Sequence, residues 1–535
     1  MTAALQTFAR PFVGNRSPSL LLWGSAVLVA AFCAIPPTYL IVRAAQEPTT
    51  ALDAVLQSST LALAVRTLAL AFVVTSLAVA LALPMAWLTM RTDVPGRRVL
   101  AVLAPLPLAV PSYVGAMVAI AALGPRGMLQ QALEPLGVDR LPSIFGFWGA
   151  AVVLALLTYP YLLLALRPAI TSLDPRLEEL SRSFGRGRWE TFRRVTLPQL
   201  RPALASGSLL VALYTLADFG AVSLLRFDSF TRVIFVRYES SFDRSGAAAL
   251  ALALAVIALS VVGLEIWTRG RSRYDSAHGN VRVAPQIALG RWRWPAFAFV
   301  TAVLALALAV PVGVLGYWLM RGLAAGEAID GVWSAAFDSA LGATLAAGAA
   351  MVLALPVALI STRHPRFLLA RPVEVLAHAG FALPGIVVAL AFVFAGINLG
   401  ALYQSLWLLV AAYALRFLPQ AISATRVGLL QVQPSMEEAA RGMGRTPRQV
   451  LATITLPLAR PGLMAGAALV FLTTMKELPA TLILAPIGFE TLAVRVWSAS
   501  SEAFFARAAL PALVLIAISA VPLLTPMFSG HEVKR

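Results

Sequence analysis

Chemistry requires polar side chains held in fixed register, and this 535-residue chain offers few. Two carboxylates stand inside apolar stretches. Asp218 lies in Tyr214-Thr-Leu-Ala-Asp-Phe-Gly220 and Glu477 in Thr473-Thr-Met-Lys-Glu-Leu-Pro479. Carboxylate oxygens are hard ligands suited to a cation, and an ionisable residue within a membrane segment is costly enough to suggest a path for a charged solute. The plainer reading is that each caps a helix or pairs locally, Glu477 with Lys476. Other chemistry is excluded by what the chain lacks. A phosphate-binding loop needs Gly-Lys-Ser/Thr, and the two lysines, Lys476 and Lys534, do not follow glycine. Cys33 is the single cysteine, so neither an internal disulfide nor a cysteine metal cluster can form. The four histidines make no ligand pair at helical spacing. No metal site is certain and no catalytic constellation is visible.

The remaining polar pattern occurs twice. Pro175-Arg-Leu-Glu-Glu-Leu-Ser-Arg-Ser-Phe-Gly185, Val195-Thr-Leu-Pro198 and Arg201-Pro202 return as Pro434-Ser-Met-Glu-Glu-Ala-Ala-Arg-Gly-Met-Gly444, Ile454-Thr-Leu-Pro457 and Arg460-Pro461. The offset is constant, 434 − 175 = 259, with no gap. The same offset sets Asp218 opposite Glu477 and Gly207 opposite Gly466. Upstream it slips to 363 − 91 = 272, where Leu83-Pro84 faces Leu355-Pro356 and Arg91 faces Arg363. Self-similarity over this length means two copies of one module.

The elements that position these residues are membrane helices. The chain is 59% hydrophobic and only 13% charged. Apolar runs of about 20 residues recur, long enough to cross a hydrocarbon core. The expected fold is all-α and polytopic: about twelve transmembrane helices in two parallel six-helix modules. A tail covers residues 1–19, the first module 20–270, a linker 271–294 and the second module 295–535. The net charge of +17 lies in short loops between spans, which argues against nucleic acid and for the positive-inside pattern. That pattern puts both termini, the linker and both repeated loops in the cytoplasm.

Each repeated loop reads as two short helices outside the bilayer. Asp174-Pro175 supplies an N-cap and a first-turn proline, and Gly185 or Gly444 a stop. Leu177, Leu180, Ser181 and Phe184 fall on one face, as do Met436, Ala439, Ala440 and Met443. Thr446-Pro-Arg-Gln449 is a capping box that starts the second helix, which Leu-Pro is expected to end. An amphipathic pair resting on lipid headgroups is the bland reading. Duplication at fixed spacing favours two knobs for two equivalent protein sockets.

Glu438-Ala439-Ala440, then Gly444, then Ile454-x-Leu456-Pro457 resembles the signature of permease subunits of binding-protein-dependent ABC importers. Glu179, Gly185, Leu197 and Pro198 are the matching positions of the first copy, where Leu-Ser replaces Ala-Ala. The resemblance implies that these residues form coupling helices docked on cytoplasmic ATPase subunits, in two copies. It implies an external substrate-binding protein as well. It also implies that the chain binds no cofactor, ATP being used by the partner, and that it resides in the bacterial inner membrane. The segments Ala217-Asp-Phe-Gly-Ala-Val-Ser223 and Met475-Lys-Glu-Leu-Pro-Ala-Thr481, with Phe489-Glu-Thr-Leu-Ala493, are similar to fused two-module ferric-iron permeases. A thiamine or other small-solute permease is the alternative, and a secondary carrier the rival from another class. In this reading Asp218 and Glu477 line the path.

Overall fold

The structure, a computed structural model, describes residues 19–240, 243–269, 286–327, 330–364, 373, 376–377, 383–398, 400 and 402–528. The expected tail 1–19 (except Ser19) and most of the expected linker therefore lie outside the described residues. Those described are helical apart from loops, turns and one isolated bridge, Thr92 to Ile287. Among the described residues, ten helices are long and apolar enough to span a membrane. An eleventh span arises if Leu20–Cys33 and Ile35–Gln46 are one element bent by 41°. Pro36 and Pro37 account for that bend, because neither supplies an N–H to the helix ladder. The expected span at 372–397 is described only in part, as the helix Gly385–Asn398.

Each half builds the same three-helix core. Ser58–Arg91 packs along Phe147–Thr171, which packs along Leu197–Ala217. Val332–Arg363, Leu406–Leu430 and Leu456–Met475 repeat the arrangement. Equivalent glycines let the last two helices of each trio touch. A Cβ on Gly207 would come within 2.4 Å of the Leu162 side chain, and one on Gly466 within 2.6 Å of the Ala424 Cβ. Small residues at helix contacts are how membrane helices gain dispersion energy when lipid is as apolar as they are.

The halves interlock. Leu20–Cys33 packs on Val332–Arg363 of the other half, and Ile35–Gln46 on Gly385–Asn398. Val310–Ala324 reciprocates against Ser112–Leu123. Phe32 meets Phe392 and Tyr39 meets Phe394, with ring centroids 5.8 and 4.9 Å apart. The chain entering the second half is stitched to the first, since the Ile287 N–H donates to the Arg91 carbonyl at 2.8 Å.

Three expected spans and the second loop helix differ in outline. The span at 99–123 is broken into Arg97–Leu103, a 3₁₀ turn Leu106–Ala109 and Ser112–Leu123, because Pro105, Pro107 and Pro111 interrupt the backbone ladder. The spans expected at 203–225 and 463–484 break at Asp218–Phe219 and at Lys476–Leu478, leaving short helices Gly220–Leu224 and Pro479–Leu484. Leu-Pro does not end the second loop helix. In both copies the helix runs on through a π turn, Phe192–Thr196 or Leu451–Thr455, into the long helices that begin at Leu197 and Leu456. The wider turn relieves the clash of the Pro198 and Pro457 rings with the preceding carbonyls, so the chain bends without stopping.

Candidate functional site

The repeated loops form the site with the most constrained geometry. The first loop helix is Pro175–Ser183, capped by the Asp174 carboxylate, which accepts from the Arg176 N–H at 3.0 Å. Its counterpart is Pro434–Gly442. Gly185 and Gly444 close the two helices at φ +79° and +84°, a conformation that costs a side chain energy whatever space surrounds it. Thr446 and Gln449 exchange both bonds of the expected capping box.

Burial divides the face that periodicity groups together. Ser181 and Ala440 are buried, whereas Leu177, Leu180, Phe184, Met436 and Met443 are exposed. Ala439, Glu179 and Glu438 are exposed as well. The buried positions turn inward on the second helix of the loop. In the first copy the Ser181 and Thr191 hydroxyls hydrogen-bond at 3.1 Å. The equivalent residues of the second copy, Ala440 and Val450, are both buried and apolar. The serine that departs from Ala-Ala is thus matched by a threonine on the facing helix. The same inner contact is therefore filled by a hydroxyl pair in one copy and an apolar pair in the other.

The glutamates singled out from the sequence, Glu179 and Glu438, stay free at the surface, while their neighbours hold the loop to the membrane helices. Glu178 is buried and paired with Arg91 at 2.6 Å, and the Thr196 hydroxyl donates to its other oxygen at 3.0 Å. Glu437 pairs with Arg363 at 2.9 Å and accepts from Thr455 at 2.9 Å. Arg363 also donates to the Leu429 and Val432 carbonyls. Each clamp therefore joins three elements: the C-terminal end of the Ser58–Arg91 or Val332–Arg363 helix, the loop helix, and the π turn. The signal was in the sequence. Arg91 and Arg363 are repeat partners, Glu178 and Thr196 recur at the 259 offset, and Glu178 stands three residues before the inward Ser181.

Leu197 and Leu456 are half-buried at the start of the long helices, with Pro198 and Pro457 beside them at the π turn. Asp218 and Glu477 are both buried, at equivalent breaks, far along the chain from the clamps. Asp218 accepts from the Ala221 and Val222 N–H groups at 3.0 and 3.3 Å. Glu477 accepts from the Ala480 N–H at 3.3 Å and pairs with Arg416 at 3.1 Å. Each carboxylate caps the short helix beyond its break, the plainer of the two readings, and Glu477 takes Arg416 rather than Lys476 as its ion partner. Among the described residues, no three His, Cys, Asp or Glu side chains are grouped as a metal site.

The pattern of the family described as binding-protein-dependent transport system inner membrane component matches residues 78–267 and 350–529. An Fe(3+)-transport system permease protein of Haemophilus influenzae is 36% identical over 386 residues, 70% of this chain and 75% of that one. A putative ferric transport system permease protein of the same organism is 27% identical, covering 71% of this chain and 63% of that one. A molybdenum transport system permease protein of Escherichia coli is 32% identical over 203 residues, 35% of this chain but 87% of that one, so it corresponds to a single module. Clamp, loop helix and π turn fall inside both matched segments. This chain belongs to the inner membrane components of binding-protein-dependent transport systems, with the family's module present twice.

Proposed function

We propose that the chain is the membrane-spanning path of an ATP-driven importer of ferric iron. The observation that carries the substrate is the 36% identity to a ferric permease across both modules. An external binding protein delivers the iron, and a separate ATPase on the cytoplasmic side, in two copies, drives its release. The chain itself binds no cofactor. Both termini face the cytoplasm, as do both loops.

The mechanism follows from the clamps. The exposed faces of the loop helices, with Leu177, Leu180, Phe184 and Glu179 in one and Met436, Ala439, Met443 and Glu438 in the other, seat in the two ATPase subunits. When those subunits close on ATP, each loop helix is displaced. Buried ion pairs with further hydrogen bonds are rigid joints, so displacement passes directly to Ser58–Arg91 and Val332–Arg363. The interlocked first spans hold the halves together while they rock. Access to the space between them then alternates from one side of the membrane to the other.

The test is iron accumulation by proteoliposomes containing the chain, its ATPase and its binding protein. Uptake is expected to require ATP and to survive collapse of ion gradients. Uptake that follows an ion gradient without ATP returns the chain to the secondary carriers.

A further inference from the structure

Beside the first clamp lies a basic hollow that neither the clamps nor the two helix breaks use. One wall is the turn after the Ser58–Arg91 helix, residues 93–99, and the other is Gln286 and Arg293 of the chain entering the second half. Its volume is about 410 Å³. The charged groups lining it are Asp93, Arg97, Arg98 and Arg293, so three guanidiniums against one carboxylate leave two net positive charges. Arg91, two residues before Asp93, adds nothing, because Glu178 neutralises it.

The partners these groups have inside the protein are neutral. With its amide oxygen turned toward Arg97, Gln286 accepts from both Nη atoms, at 2.5 and 2.8 Å. The Asp93 carboxylate accepts from the Leu289 N–H at 3.0 Å. Among the described residues, Arg97, Arg98 and Arg293 make no ion pair. Like charges around one open volume repel, and an oxyanion seated among them replaces that repulsion with charge-assisted hydrogen bonds.

The surroundings point to the source of the anion. The hollow begins two residues beyond Arg91, so it lies at the end of the spans that carries the repeated loops. The candidate span Gly290–Ala324 starts there, with Trp292 and Trp294 on either side of Arg293 and 63% and 68% exposed. Val99, another lining residue, is exposed too. Tryptophans at the end of a span sit at headgroup level, and basic pockets between spans on the cytoplasmic side take anionic headgroups. A soluble anion would need the arginines but not the indoles. We propose that Arg97, Arg98 and Arg293 hold the phosphodiester headgroup of an anionic phospholipid, such as phosphatidylglycerol or cardiolipin. The lipid fastens the start of the second half to the turn that follows Arg91, and so steadies the first clamp.

The test needs neither ATPase nor iron. The purified full chain is placed in phosphatidylcholine nanodiscs, and phosphatidylglycerol, cardiolipin or more phosphatidylcholine is added. Bound lipid is counted by native mass spectrometry, and amide exchange is followed over 91–99 and 286–293. The anionic lipids are expected to be retained and to slow exchange in both segments, and phosphatidylcholine to do neither. Arg97→Gln and Arg293→Gln are each expected to weaken anionic lipid binding about fivefold, the value of one cation at a membrane surface. Equal retention of phosphatidylcholine by the wild-type chain overturns the proposal, with no reliance on a variant. So does unchanged binding in both variants, which places the lipid elsewhere. Protection by inorganic phosphate in detergent without lipid shows a pocket for a soluble anion and rejects the lipid. Protection that appears only when the ATPase is added shows a protein contact and rejects it as well.

Discussion

Removing Glu437 should free the loop helix Pro434–Gly442 without unfolding the protein. Glu437→Ala leaves Arg363 without its carboxylate and Thr455 without its acceptor, both next to buried backbone. Breaking a buried ion pair by deleting one partner costs about 3–5 kcal/mol. The Arg363 side chain is 17% exposed and keeps two carbonyl acceptors, which places the expected loss at the low end, about 3 kcal/mol. That is a shift of about a hundredfold toward the detached loop helix. Hydrogen exchange of the 434–444 segment reports the shift directly. The ratio of ATP hydrolysed to iron transported reports its consequence, because a loosened joint lets the ATPase turn over without moving the spans. Arg363→Met with Glu437→Leu should recover much of the stability, since an apolar pair of similar volume replaces the buried ions at little cost. Unchanged exchange at 434–444 in Glu437→Ala would show that the clamp does not hold the helix, and the lever mechanism would fail with it.

The other predictions concern the same joints and the Arg416–Glu477 pair. Gly444→Val should cost about 1–2 kcal/mol through its positive φ, and Gly444→Asn less, with thermal denaturation of the purified chain ranking the two. Ser181→Ala alone should destabilise the first loop by about 1 kcal/mol, because Thr191 loses its partner. Ser181→Ala with Thr191→Val should be nearly neutral, and a double-mutant cycle measures the difference. Gly385→Ala forces Arg416 off Glu477, so transport should fall well below wild type. Retention of full transport would show that this ion pair is dispensable.

Much of this architecture is legible in the sequence because membrane physics simplifies it. Long apolar runs must be helices, and a fixed 259-residue offset exposes the duplication whatever each copy does. The capping box at Thr446 and the positive-φ glycines are local, so they too are readable. What escapes is what depends on helical phase and distant partners. Glu178 and Glu179 are adjacent and chemically identical, and only a rotation of about 100° decides which meets Arg91. Leu-Pro reads as a stop because proline forfeits an N–H. A π turn one residue earlier absorbs that loss, and nothing in the composition announces it. The Arg416–Glu477 pair needs Gly385, some ninety residues upstream of the glutamate, and no periodicity links the three.

In the proposed mechanism two clamped loop helices connect an ATPase to the passage of ferric iron between the halves. The most direct measurement is ATP hydrolysis by the chain co-purified with its ATPase in lipid, as binding protein is added empty, iron-loaded or thiamine-loaded. Stimulation is expected from the iron-loaded form, with more ATP hydrolysed per iron transported in Glu437→Ala. Stimulation by thiamine alone would overturn the substrate. An ATPase that neither co-purifies nor responds would rule out coupling through the loop helices.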